Sequence, residues 1–116
     1  QDWRILADRM LAGALDRASY WPSATHWAGL LLWRTEPFHE VVITAPNVEV
    51  VASTQHALQA HFRPQTLYAG GASENIPLLR DRQLGELAIF VCEDGRCQLP
   101  VASVEKATGL LTKAAH

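Results

Sequence analysis

Cys92 and Cys97 are the residues of this 116-residue sequence best suited to chemistry, and they are its only cysteines. A thioredoxin-type dithiol has the spacing C-x-x-C at a helix N-terminus, where the helix dipole stabilises a thiolate. Here the spacing is longer, in VCEDGRCQLPV, and the neighbouring Glu93 and Asp94 disfavour a thiolate. We therefore predict two reduced thiols that act mainly through packing, with a disulfide as the main alternative and a thiol switch as a third.

Other chemistry has little support in the residue pattern. A structural zinc site needs four ligands, but the chain has no second cysteine pair, and no two of its five histidines are four residues apart. The glycines of YAGGAS match no phosphate-binding loop, and no serine lies in a nucleophile-elbow sequence. We predict no catalytic residue, no metal site and no cofactor.

Composition limits the partners. The formal net charge is only −2, which gives no general affinity for nucleic acid or for acidic membranes. Apolar runs such as WAGLLLW are far shorter than the roughly 20 residues that span a bilayer. We expect neither nucleic acid nor membrane as a partner, and a cytoplasmic location.

The central part of the chain predicts a parallel strand pair. Residues 40–45, EVVITA, are rich in β-branched residues and lie between prolines, which is typical of a buried strand. Asn47 is a good N-cap for the helix that follows, and residues 66–69 form a second strand. A strand, a helix and a strand give a parallel pair with a right-handed crossover. The loops after the two strands are candidate linings of a substrate cleft, at Pro46, Asn47, Gly70 and Gly71.

The C-terminal part predicts a hairpin and a helix. Strands at 87–92 and 97–101 flank a four-residue loop, and a helix capped by Ser103 runs to about residue 114. The simplest register makes one apolar face from the pairs Cys92 and Cys97, Phe90 and Leu99, and Ala88 and Val101. The fold class is α/β, a small β-α-β-β-β-α module with a mixed sheet in two or three layers.

Residues 1–36 predict a helical hairpin that exposes apolar surface. The second helix, to Arg34, is apolar in nearly every direction, and such a helix must be buried on all sides. The candidate interaction surface consists of Trp3, Trp21, Trp27, Leu31 and Trp33. Either the chain self-associates, or this hairpin packs on further helices of a longer parent chain, which a first residue other than Met also suggests. The alternative is a two-helix cap that lies across the sheet.

The order of four short motifs resembles one family. EVVITA, HFRP, VC and CQLPV, with a helix after them, resemble the C-terminal end of the YyaL-type, spermatogenesis-associated, thioredoxin-domain-containing proteins. In those chains a thioredoxin-like domain precedes an α/α toroid similar to the N-acylglucosamine 2-epimerase barrel, and a small α/β region follows. The resemblance implies that residues 1–36 end the toroid and that residues 37–116 are the small terminal α/β module. The predicted βαβ unit followed by a hairpin and a helix is also the outline of a reduced thioredoxin-like fold, which we expect as the topology of this module.

The resemblance implies no activity for this part of the family, because neither the redox domain nor the epimerase pocket corresponds to these residues. We therefore expect a non-catalytic structural or interaction module whose partner is the remainder of its parent chain. The alternatives are a fragment of a sugar-processing enzyme that contributes loops to a cleft, and a thiol switch that uses Cys92 and Cys97.

Overall fold

Two kinds of sequence pattern, helical stripes and β-branched runs, fold into two separate units. A computed structural model describes residues 2–16, 25–71, 76–82 and 85–113. The chain divides into Gln1–Glu36, whose described residues form two helices, and Pro37–His116, which contains the sheet.

The first unit is a helical hairpin of α1 (Trp3–Asp16) and α2 (Thr25–Thr35). Asp2 accepts a hydrogen bond from the backbone of Arg4, which satisfies a free amide in the first turn of α1. The Arg34 guanidinium donates two hydrogen bonds to the Asp8 carboxylate, at 2.7 and 2.9 Å, and so ties α2 to α1. Both side chains are half-exposed, so this pair contributes at most about 1 kcal/mol.

Burial in the first unit differs from the expectation for a helix that is apolar on all sides. Leu11 is the one buried residue of α1, and α2 has no buried residue along its described length. The two helices cover only the faces that they turn toward each other, because two helices alone cannot enclose one another. Of the apolar residues of α2, Leu30, Leu32 and Trp33 therefore remain exposed, whereas Trp27 and Leu31 are half-buried.

The second unit contains a mixed sheet of four strands. They are β1 (His39–Thr44), β2 (Thr66–Gly70), β3 (Ala88–Glu93) and β4 (Arg96–Cys97), in the order β2-β1-β3-β4. Strands β1 and β2 are parallel, and the other two pairs are antiparallel. The predicted mixed α/β class is confirmed, and β1 lies at the centre, where its pattern of β-branched residues suits burial on both faces.

One face of the sheet carries the larger core. Helices α3 (Val48–Gln59) and α4 (Val104–Lys113) pack on it. Side chains alternate along a strand, so Val41 and Ile43 of β1 and Ile89 and Val91 of β3 all point toward these helices. The helices contribute Val51, Leu58, Ala107 and Leu111 to this cluster, and Ala45, which follows β1, completes it.

The opposite face is covered by a short segment, residues 76–82, which includes the 3-10 turn Pro77–Leu79. This turn contacts β1 and β2, and Leu79 is completely buried. The Thr44 hydroxyl, on the same face as buried Val42, donates a hydrogen bond of 3.0 Å to the Arg82 carbonyl. The 76–82 segment is therefore fixed over the sheet by packing at one end and by a hydrogen bond at the other.

Candidate functional site

A tight turn brings the two cysteines together. Strands β3 and β4 are joined by Asp94 and Gly95, whose φ angles are 48° and 75°. Positive φ at both central residues is the mark of a type I′ turn, the two-residue turn whose twist matches that of the strands. The loop is therefore shorter than the four residues predicted, because Glu93 and Arg96 already pair across the strands.

The predicted pairing of Cys92 with Cys97 is confirmed, but the expectation of two free thiols is not met. The two residues are register partners, and a disulfide joins them. Their environments differ sharply, because Cys92 is 1% exposed whereas Cys97 is exposed on the edge strand. The predicted packing role therefore fits Cys92 only, and the two cysteines differ in their access to solvent.

Beyond Cys97 the predicted register is wrong. The Gln98 amide still bonds the Val91 carbonyl, but Val101 then pairs with Ile89 rather than with Ala88. One extra residue has entered this strand, as in a β-bulge, at the point where Pro100 has no amide to donate. Leu99 consequently leaves the sheet and is 87% exposed, so it does not pack on Phe90.

A cation that the sequence pattern did not reveal lies against the sulfur atoms. The Arg82 guanidinium is 3.6 Å from Cys92 Sγ through Nη1 and 3.1 Å from Cys97 Sγ through Nη2. Its central carbon also lies 5.4 Å from the centre of the Phe90 ring, a cation–π geometry. A positively charged group therefore contacts both sulfurs, whereas the sequence-based prediction rested on the acidic Glu93 and Asp94.

An open cavity of about 540 Å³ adjoins the hairpin, lined by His39, Val91, Cys92, Glu93, Asp94, Arg96, Cys97 and Gln98. The register pairs His39 with Glu93, which places both on the helix-covered face, whereas Cys92 pairs with Glu40 on the other. His39 is 6% exposed, and its Nε2 atom has no hydrogen-bond partner among the described residues. The nearest carboxylate oxygen is Glu93 Oε2, 4.0 Å away. The cavity therefore extends around the hairpin, because its lining includes residues of both faces as well as the two cysteines that Arg82 contacts.

The residues predicted to line a cleft have packing and capping roles. Asn47 is the N-cap of α3, and its side chain accepts a hydrogen bond of 2.7 Å from the Glu49 amide. A β-carbon on Gly70 would lie 2.5 Å from Val51 Cγ1, so a side chain has no room there. Gly71, with a φ of 139°, donates its amide to the Ile43 carbonyl at 3.3 Å. Pro46, which follows β1, is exposed.

The residues of the predicted interaction surface differ in exposure. Trp3 is 70% exposed, and Trp33 is also exposed. Trp27 and Leu31 are half-buried. Trp21 lies outside the described residues.

The described ranges offer no alternative centre of chemistry. They contain no group of three or more histidine, cysteine or acidic residues able to hold a metal ion. None of their helices combines the length and the apolar character that crossing a membrane requires. The chain matches no protein-family model, no curated protein and no solved structure.

Proposed function

We propose that this chain is a non-catalytic α/β module that docks on a larger helical body through its N-terminal hairpin. The observation that carries the proposal is the exposure of large apolar side chains on both helices of the hairpin, namely Trp3, Ile5, Leu6, Met10, Leu30, Leu32 and Trp33. A water-soluble monomer rarely leaves a continuous apolar patch of more than a few hundred Å² uncovered, and larger patches mark interaction sites.

The chemistry of the surface favours further helices as the partner. Apolar ridges on a helix pack into the grooves of another helix, and α/α assemblies are built from such hairpins. The salt bridge between Asp8 and Arg34 joins α1 and α2 side by side, as in the hairpins from which such stacks are built. The resemblance to the YyaL-type proteins suggests the same arrangement, with the hairpin as the last of an α/α toroid.

The sheet unit supports a structural role as well. Its element order and its strand order, β2-β1-β3-β4, are compatible with a reduced thioredoxin-like module. In that fold a redox dithiol lies at a helix N-terminus. Here the N-terminus of α3 carries Asn47 and Val48, and no cysteine. The module would therefore contribute packing rather than thioredoxin chemistry.

Concentration-dependent self-association tests the proposal, because an apolar surface that lacks its partner is expected to bind the same surface of a second copy of the chain. All four tryptophans lie at positions 3, 21, 27 and 33, so tryptophan fluorescence, excited at a wavelength that tyrosine does not absorb, reports on the N-terminal unit alone. We expect light scattering to show a mass that rises with concentration and fluorescence quenching by acrylamide to fall in parallel.

A matched pair of variants locates the interface. Met10→Glu combined with Trp33→Glu places charge on the exposed apolar face of the hairpin and should give a monomer. Phe62→Glu changes a side chain that is 91% exposed in the sheet unit and should leave association unchanged. A wild-type chain that stays monomeric at high concentration, or a Phe62→Glu variant that alone abolishes association, would contradict the proposal.

A further inference from the structure

We infer that Cys92 and Cys97 form a reversible thiol–disulfide site, reduced by an external dithiol that attacks Cys97, with Arg82 as the residue that sets its redox equilibrium. Three observations meet at this site. The disulfide joins a buried sulfur to one on an exposed residue, a guanidinium touches both sulfurs, and the segment that carries the guanidinium is fixed to the sheet.

The difference in burial decides which sulfur is attacked. Thiol–disulfide exchange requires that a thiolate reach one sulfur and displace the other. Cys97 lies on β4, at the edge of the sheet, and is exposed. Cys92 is covered by the sheet and by its neighbours. The incoming thiolate therefore bonds Cys97 Sγ, and Cys92 is the leaving group.

The exchange is a two-electron reduction with a dithiol as the electron donor. The first donor thiolate bonds Cys97 Sγ, the Cys92–Cys97 bond breaks, and Cys92 Sγ keeps the electron pair as a thiolate. The donor's second thiolate then attacks the donor sulfur of the mixed disulfide and displaces the Cys97 thiolate. The donor ends as a disulfide, and the two protons that its thiols release balance the protons taken up by the two cysteines.

Arg82 acts on both steps without exchanging bonds. Each step produces a thiolate, first on Cys92 and then on Cys97, and the guanidinium lies 3.6 Å from one sulfur and 3.1 Å from the other. A neighbouring cation stabilises a thiolate, so it makes each cysteine a better leaving group and stabilises the reduced state. Arg82 is therefore a positioning and electrostatic residue, and it makes the disulfide easier to reduce.

Neighbouring residues hold Arg82 beside the two sulfur atoms. The Thr44 hydroxyl binds its carbonyl, and its guanidinium lies over the Phe90 ring. Phe90 and Cys92 are two residues apart on β3, so they share a face of the sheet. No ion pair within 4.0 Å among the described residues involves Arg82, although Glu40, the register partner of Cys92, shares this face of the sheet.

Redox titration of the full chain tests the inference. The chain is equilibrated with mixtures of reduced and oxidised dithiothreitol, and its free thiols are then alkylated with iodoacetamide. Mass spectrometry measures the fractions of reduced and oxidised chain. We expect Arg82→Gln to shift the equilibrium about tenfold toward the disulfide, or about 30 mV to a more negative potential, and to slow reduction to a similar extent. Arg82→Lys keeps a cation and should fall between Arg82→Gln and the wild type.

Controls separate this effect from a loss of structure. Arg80 is an exposed arginine in the same segment, so Arg80→Gln should titrate like the wild type. Brief treatment with glutathione, a single thiol, should trap the mixed disulfide on Cys97, which peptide mapping locates. The inference is overturned if Arg82→Gln and Arg80→Gln titrate alike while both remain folded by circular dichroism. It is also overturned if glutathione maps to Cys92, or if the disulfide is reduced only in denaturant.

Discussion

Replacing Gly70 by alanine should destabilise the sheet unit, although alanine is the more favourable residue in most strands. Gly70 ends β2, and the added β-carbon would lie 2.5 Å from Val51 Cγ1 and 3.5 Å from the Ile43 carbonyl oxygen. The first distance is far below a van der Waals contact. Val51 cannot easily move away, because it is buried against the sheet and a β-branched side chain has one strongly preferred rotamer in a helix.

The size of the effect follows from two opposing contributions. Extra atoms forced into a packed core cost about 1–3 kcal/mol. Alanine regains about 0.5–1 kcal/mol, because glycine loses more backbone entropy when it folds. We therefore expect Gly70→Ala to lower the free energy of unfolding by about 1–2 kcal/mol. In a domain of this size each kcal/mol corresponds to about 4–8 °C in Tm.

A matched control makes the test specific. Gly109 lies inside α4, and a β-carbon there would have no atom within 4 Å. Gly109→Ala should therefore stabilise the same unit by about 0.5–1 kcal/mol. Urea unfolding followed by circular dichroism measures both variants. The steric explanation of Gly70 would be refuted if the two variants shifted the midpoint in the same direction, and a ligand-contacting role would then regain support.

Two further predictions concern a cap and the corrected hairpin. Asn47→Ala should lower the free energy of unfolding by about 0.5–2 kcal/mol, because the Glu49 amide loses its hydrogen-bond acceptor. Asn47→Asp should retain the cap and most of the stability. An equal loss of stability in both variants, measured by urea unfolding, would count against the capping role. Leu99→Ser should change stability by less than about 0.5 kcal/mol and Leu79→Ala should cost about 2–5 kcal/mol, since only Leu79 is buried. A large loss in Leu99→Ser would restore the predicted pairing with Phe90.

Local patterns were sufficient to predict most of the elements. The β-branched run before Pro46 forms β1, Asn47 begins α3, and the Ser103 hydroxyl accepts a hydrogen bond from the Lys106 amide at the start of α4. Each of these signals acts within four residues of the element that it defines. The element order of the sheet unit was therefore predictable from composition, spacing and caps.

Features that depend on distant residues were not predictable in this way. By its spacing Phe62 continues the apolar face that Val51 and Leu58 form, but α3 ends at Gln59 and Phe62 is exposed beyond it. Arg82 reaches sulfurs ten and fifteen residues later in the chain, and no periodicity links a loop arginine to a hairpin. The bulge at Pro100 also involves a distant residue, because Val101 pairs with Ile89 instead of with Ala88.

The shortness of β4 has a consequence for how copies of this chain can meet. A long, flat edge strand presents a row of free amide and carbonyl groups on which a strand of another molecule can add. Here β4 pairs for only two residues, and the chain then bulges at Pro100, which offers no amide hydrogen. This edge is therefore a poor template for amyloid-like addition of strands. The other edge of the sheet, β2, is also short, with five residues.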